Sequence, residues 1–185
     1  IRKWIIENDW LECIVSLPTK LFFNTGINTY VWIVSNKKSD KRKGKVQLIN
    51  GSSFCKSTRK NLGDKSNYID DISREKILDI YLNYIEGEHS IVFSNNHFGY
   101  TKVTIDQPLV DDDGTVVTDK KGNPKPNTKK RDYERIPLDQ DIEDYYDKEV
   151  KPHLPNSWMD RNKDKVGYEI NFTKYFYKYK PLRSL

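Results

Sequence analysis

Apolar residues come in short dense runs divided by long polar stretches, and the spacing inside each run sets the element it predicts. Residues 1–8 (IRKWIIEN) read as the last turns of a helix, with Trp4 and Ile5 on one side. Two runs rich in β-branched and aromatic residues follow, Trp10–Pro18 (WLECIVSLP) and Ile27–Ser35 (INTYVWIVS). Their lack of strict alternation predicts strands buried on both faces of an α/β sheet. Gly44–Asn50 (GKVQLIN) does alternate, Val46 and Leu48 against Lys45 and Gln47, and predicts a third, more exposed strand. Residues 51–72 are polar and predict a loop or linker. Ser73–Glu86 places Ile77, Ile80, Tyr81, Tyr84 and Ile85 at helical spacing, with Ser73 as N-cap and Gly87 as stop. HSIVFS and GYTKVTID predict a strand pair around the turn NNHFG.

Farther on, Asp113-Gly114 and Lys121-Gly122 are turn signals around a short Thr/Val run, which predicts a protruding hairpin or ordered loop. A second amphipathic helix puts Ile142, Tyr145, Tyr146 and Val150 on one side and ends at Pro152. Residues 167–182 predict an aromatic extended segment or strand, and no internal repeat is visible. The oddest stretch lies just before the second strand. LFFNTG, Leu21–Gly26, sets two phenylalanines on turn chemistry, where a packed core has no obvious use for them.

With 185 residues the chain fills one domain or slightly more. Its apolar fraction is 36% and its charged fraction 32%, so the core is modest; aromatics at 12% must supply much of the packing. No run approaches the roughly 20 apolar residues of a membrane span. Cys13 and Cys55 have neither framework spacing nor a metal-ligand partner, and read as free thiols in a reducing cytosol. The chain starts inside a helix-like pattern and its single methionine is Met159, so a piece of a longer protein is expected.

Charge is uneven. Residues 36–65 hold ten basic residues against two acids, a net +8. The chain as a whole is only +5. Such a segment suits a polyanion, though a solvated lysine-rich loop gives the same pattern.

Several motifs fail on inspection. Asp111-Asp112-Asp113-Gly114 lacks the bidentate glutamate of a calcium loop, and a β-turn explains it. His89, His97 and His153 are scattered, with no paired carboxylate or cysteine. No Gly-x-Gly cradle occurs, and Asn123-Pro-Lys-Pro lacks the second proline and aromatic of an amino-methyltransferase motif. An RNA-binding domain is disfavoured by the absence of an aromatic ribonucleoprotein motif.

The run WIIENDWLECIVSLPTKLFFNTGINTYVWIVSNKK resembles the end of the catalytic domain of the modification (M) subunits of type I restriction-modification systems, N6-adenine DNA methyltransferases of the γ class. YLNYIEGEHSIVFSNNHFGYTKVTIDQPL, DKKGNPKPNTKKRDYERIPLDQDIEDYYDKEVKPHLPNSWMD and KVGYEINFTKYFYKY are similar to downstream blocks of the same subunits. The resemblance implies an α/β fold: the C-terminal end of a Rossmann-like methyltransferase sheet over residues 1–52, a linker or loop at 53–72, and a family-specific α+β extension over 73–185. It implies S-adenosylmethionine as cofactor and no metal, with the cofactor site and the Asn-Pro-Pro-Phe/Tyr motif upstream of Ile1, and therefore an inactive isolated piece. The implied partners are double-stranded DNA and the specificity (S), second M and restriction (R) subunits, in the cytoplasm and away from any membrane.

In related enzymes an aromatic in this late loop stacks on the adenine once it leaves the duplex. The resemblance carries that role to Phe23, with Phe22 as the neighbour turned inward, since adjacent residues of an extended segment point opposite ways. Two core aromatics or a subunit contact are the competing readings. The basic segment would then lie near the DNA, with Lys37, Lys38, Lys41, Arg42 and Lys43 on phosphates. A non-catalytic nucleic-acid or protein interaction module built from the same family piece is the alternative.

Overall fold

The computed structural model describes residues 1–179, which form a mixed α/β structure in two compact units. The first unit contains Ile1–Asn95 and the chain from Ile170; the second contains Asn96–Glu169.

In the first unit a short helix α1 (Arg2–Glu7) leads into β1 (Leu11–Ser16). β2 (Tyr30–Val34) pairs antiparallel to β1, and β3 (Lys45–Asn50) pairs parallel to it on the other side. A hairpin of β4 (Lys56–Leu62) and β5 (Lys65–Tyr68) follows, then helix α2 (Asp71–Leu82), then β6 (Ser90–Ser94) antiparallel to β3. The sheet order is β2-β1-β3-β6. Cys13, Val15 and Ile49 form the core on one face, against Ile77, Ile80 and Tyr81 of α2.

Sheet order inverts the expected burial. β3 lies between β1 and β6 and is almost wholly buried, whereas β2 is the outer strand and exposes Tyr30, Val31, Trp32 and Val34. Gln47, expected on a solvent face, is fully buried. Its amide donates to Ile80 O (3.1 Å) and Ser90 Oγ (2.9 Å) and accepts from Arg42 Nη1 (3.1 Å), so burial leaves neither end of it unpaired.

The stretch expected as a linker is instead the β4–β5 hairpin. The N-cap of α2 is Asp70, whose side chain accepts from Ser73 N at 3.1 Å, and not Ser73.

The second unit is an antiparallel sheet in the order β10-β7-β8, from β7 (Gly99–Asp106), β8 (Asp132–Pro137) and β10 (Lys165–Tyr168), with the two-residue β9 (Trp158–Met159) also paired to β7. HSIVFS and GYTKVTID are therefore not one hairpin: β6 and β7 belong to different sheets. Helix α3 (Ile142–Tyr145) continues as a π turn to Val150. As its spacing predicts, Tyr146 and Val150 are buried against Val103, Ile105 and Ile136, with Ile142 and Tyr145 packed alongside. A last helical turn, α4 (Phe172–Tyr175), interrupts the expected extended C-terminal segment, whose final residues lie outside the described range.

Residues 107–130 hold a repeat that hydrophobic patterning hides. Asp111, Asp119 and Asn127, eight residues apart, each accept a backbone N–H two residues on, from Asp113 (3.2 Å), Lys121 (2.7 Å) and Lys129 (3.1 Å). Main-chain bonds close a ring: Val117 N to Leu109 O (2.8 Å), Lys125 N to Val117 O (2.9 Å), Leu109 N to Lys125 O (2.8 Å). The result is three turns joined in a ring and not a simple hairpin.

Candidate nucleic-acid interface

β1 and β3 are parallel, with Ser16 opposite Asn50, so their carboxyl ends meet at one edge of the sheet. β2 starts at the same edge, Tyr30 opposite Ser16. In α/β sheets the carboxyl edge is where ligands are met, because the loops that follow parallel strands gather there. Here those loops are 17–29 and 51–55.

The 51–55 turn fits tightly. Gly51 N donates to Ser16 O at 2.9 Å, and a Cβ on Gly51 would stand 2.8 Å from that oxygen. Protein fills the space beside this glycine, which therefore makes no phosphate or adenosyl cradle. Among the described residues no group of three or more His, Cys, Asp or Glu could hold a metal ion, and no helix is long and apolar enough to cross a membrane.

Loop 17–29 is closed by Leu17 N donating to Thr29 O (2.9 Å) and is anchored inward by Pro18 and Leu21, both buried. Beyond the anchor, Phe22 and Thr25 bridge a tight turn through Asn24, whose φ of +56° suits asparagine. Both phenylalanines face solvent, Phe22 49% and Phe23 63% exposed. The expectation that Phe22 turns into the core is thus corrected: Leu21 holds that position, and the turn, not strand alternation, sets where the two rings point.

The β4–β5 hairpin braces the loop. Ser66 N and Asn67 N both donate to Lys20 O (3.0 and 3.1 Å), and Asn67 Nδ2 donates to Thr19 O (3.0 Å). Gly63, at φ +58°, brings the hairpin turn onto Phe23; a Cβ there would meet the ring at 2.9 Å. Sequence patterning misses these bracing residues because KSTRKNLGDKSNY has too few apolar residues to show a strand period. Its Leu-Gly-Asp turn is the one available signal.

The basic segment divides in two. Residues 35–44 connect the end of β2 to the start of β3, and Val34 lies opposite Leu11, the first residue of β1. They therefore sit at the amino edge, one strand length from the phenylalanines, about 17 Å for a six-residue strand. Two of them are not free for phosphates. Lys38 is 8% exposed, with Nζ donating to Asp9 Oδ1 (2.6 Å) and Lys45 O (2.7 Å). Arg42 is 5% exposed, its Nε 3.3 Å from Glu12, its Nη2 donating to Tyr81 O, and its guanidinium 4.5 and 4.4 Å from the rings of Tyr81 and Tyr84. Both are corrected to structural residues. Lys37, Lys41 and Lys43 stay exposed, though Lys43 pairs with Asp40 at 2.7 Å.

Titration follows this layout. Burial pushes the Cys13 thiol up to about 12. Burial, then the hydrogen bond to Glu12 (2.8 Å), pushes Tyr81 up to about 12 as well. Burial works to raise Asp9, but hydrogen bonds from Lys38, Gly44 N (2.8 Å) and Asn95 Nδ2 (2.8 Å) outweigh it and leave the carboxyl below its usual range.

Residues 1–112 match the family model described as N-6 DNA Methylase, and the chain belongs to that family. Its curated relatives include methylase subunits of type I restriction enzymes. The MjaIX subunit of Methanocaldococcus jannaschii is 36% identical over 108 residues, 58% of this chain and 18% of that protein. The MjaVII subunit of the same organism is 38% identical over 95 residues, 50% of this chain and 16% of that protein. The HindI subunit of Haemophilus influenzae is 49% identical over 49 residues, 26% of this chain and 11% of that protein. The chain thus spans less than a fifth of the length of these relatives. A crystal structure of a type I restriction-modification methyltransferase subunit from Streptococcus thermophilus aligns with 53% of this chain and 19% of its own, at 25% identity and a TM-score of 0.46.

Proposed function

We propose that the chain forms the target-base face of a type I restriction-modification DNA methyltransferase, the reaction being methyl transfer from S-adenosylmethionine to adenine N6. In this reading β2-β1-β3 is the late end of a Rossmann-like sheet, and the cofactor site and amine-holding motif are contributed by protein outside these residues. Phe23 then stacks on the adenine after it leaves the duplex, replacing lost base stacking, with Phe22 beside it. Double-stranded DNA, the S subunit, a second M subunit and the R subunit are the partners, in the cytoplasm. Lys37, Lys41 and Lys43, at the far edge of the sheet, serve phosphates away from the target base. The isolated chain does not methylate.

The observation that carries this reading is the pair of exposed phenylalanines held at the carboxyl edge by a dedicated brace. Large apolar rings kept in water by a rigid turn imply a partner surface, and family membership makes a nucleobase the fitting one. The test is Phe23→Ala in the methyltransferase that contains this chain, read on a duplex with 2-aminopurine at the target adenine. Affinity for the unstacked base should fall roughly 5- to 150-fold, the equivalent of 1–3 kcal/mol of stacking, and kcat/KM with it. Unchanged base binding and methylation would remove Phe23 from the site.

A second reading rests on β2. Among the described residues its outer edge pairs with no strand, and its side chains are exposed on both faces. Such an edge accepts another chain by strand addition, as an interaction module would. It gains ground if Phe23→Ala abolishes subunit assembly while any methylation that remains is normal.

A further inference from the structure

The β4–β5 hairpin does more than brace the aromatic loop. Residues 56–68 carry Lys56, Arg59, Lys60 and Lys65 against the single acid Asp64. Lys56 is engaged by Asp70 at 2.6 Å. For Arg59, Lys60 and Lys65 the structure shows no ion pair with any described residue. Arg59 and Lys60 lie on β4, nearly all of which is exposed, and support no core, while Lys65 opens β5 and is half-buried. A polar two-stranded hairpin is at best marginal in water on its own, and its side chains here make little hydrophobic return. Among the basic residues at 37–65 this cluster alone combines unpaired charge with proximity to the phenylalanines. Lys38 and Arg42 are internal, and Lys37, Lys41 and Lys43 lie at the opposite edge. The hairpin turn, by contrast, touches Phe23 through Gly63.

We infer that the β4–β5 hairpin is a phosphate-contacting arm for duplex DNA, in which Arg59, Lys60 and Lys65 neutralise backbone phosphates beside the aromatic loop. The inference rests on the reading of that loop as the target-base element and extends it to the strand that flanks the base. An adenine leaving the stack needs its neighbouring phosphates held while it rotates, and cations fixed to the same element as the stacking ring supply that without reading sequence. The main-chain bonds from Ser66 and Asn67 to Lys20 O couple the two parts, so that phosphate contact and ring position are set by one unit.

The test uses the 185-residue chain and a fluorescent duplex, with affinity measured by anisotropy over a range of salt. The triple variant Arg59→Ala, Lys60→Ala, Lys65→Ala should bind more weakly. Its slope of log K against log salt should be shallower by about 2.7, or about 0.9 for each phosphate no longer neutralised. A charge-reversed pair, Arg59→Glu with Lys60→Glu, should weaken binding further. Circular dichroism of both variants should match the wild type, as Arg59 and Lys60 are exposed and the half-buried Lys65 makes no ion pair with any described residue. An unchanged slope overturns the proposal, as does a wild-type chain that binds no duplex or prefers an RNA duplex. Phe23→Ala in the same assay should leave the slope intact. If Phe23→Ala fails to affect 2-aminopurine binding while the triple variant behaves as stated, the base-stacking reading falls and the phosphate arm stands.

Discussion

Arg42 shows how far a residue's role depends on distant partners. Its guanidinium is enclosed by Glu12, Gln47, Tyr81 and Tyr84. Replacing it with alanine strands Glu12 and Gln47 in the interior, and should cost about 3–5 kcal/mol, the usual penalty for removing one side of a buried ion pair. Urea unfolding of Arg42→Ala measures it; a loss below about 1 kcal/mol would mean that water reaches the pair. Arg42→Lys should recover little, because an ammonium cannot lie between two rings and donate in a fork. None of this is legible in NKKSDKRKGK, where Lys37, Lys38, Lys41, Arg42 and Lys43 look alike. What separates them are Asp9, Glu12 and two tyrosines, Tyr81 of α2 and Tyr84 just beyond it, brought in by the fold. Cys13 is easier to read, since its apolar run announces burial. With its thiol pushed up to about 12, native protein should react with a thiol reagent at Cys55 alone and release Cys13 only on unfolding. Rapid modification of both under native conditions would contradict the packing around β1.

Periodicity is a reliable guide to elements and a poor one to their neighbours. The apolar positions of the two helical segments are legible, because a helical period is a property of the segment itself. Helix α2 turns Ile77, Ile80 and Tyr81 to the core but stops at Leu82, short of Tyr84 and Ile85. Tyr146 and Val150 are buried although their segment passes from one α turn into a π turn. Strand exposure is not legible, since it follows from place in the sheet: β3 is central and buried, and the more apolar β2 is at the edge. Polar elements are hidden altogether. The hairpin that completes the candidate site and the three turns of 107–130 are held by main-chain and Asx hydrogen bonds, which leave no hydrophobic signature. Gly122 has φ +85° with open space around its α-carbon, so Gly122→Ala suffers only the conformational penalty, about 1 kcal/mol, and should lower the stability of the second unit by that amount. At the start of α2, hydrogen bonds from Lys56 and Ser73 take Asp70 down to about 2 from 3.8. A depressed carboxylate stabilises the fold above its unfolded value and loses that contribution as pH falls through its folded value. The contribution of the cap should therefore be complete above pH 3.8 and fade toward about pH 2. Asp70→Asn should flatten the stability–pH curve in that window alone; an identical curve would show that the pair does not form in solution.

At the scale of the molecule, the chain leaves the first unit at Asn95 and returns to it at Ile170, so the second unit is an insertion. The two ends of that insertion are adjacent: Glu169 N donates to Phe98 O at 2.8 Å, and Tyr168 pairs with Gly99. It also has its own core of Val103, Ile105, Ile136, Tyr146 and Val150. An element with adjacent ends and a private core can be removed at small entropic cost to its host, because the gap to be closed is short. Replacing residues 97–169 with a short glycine linker should thus leave the β2-β1-β3-β6 sheet folded, as read by far-UV circular dichroism and cooperative urea unfolding. Every residue proposed for base stacking or phosphate contact lies in the first unit, from Phe22 to Lys65. The excised chain should therefore keep the duplex affinity and salt slope of the intact one. A steep loss of slope on excision would mean that the lysines of the three-turn repeat, Lys120, Lys121, Lys125, Lys129 and Lys130, carry phosphates too, and that the DNA-facing surface extends into the second unit. Loss of the cooperative transition instead would show that the insertion, for all its separate core, is required to hold the sheet that presents Phe23.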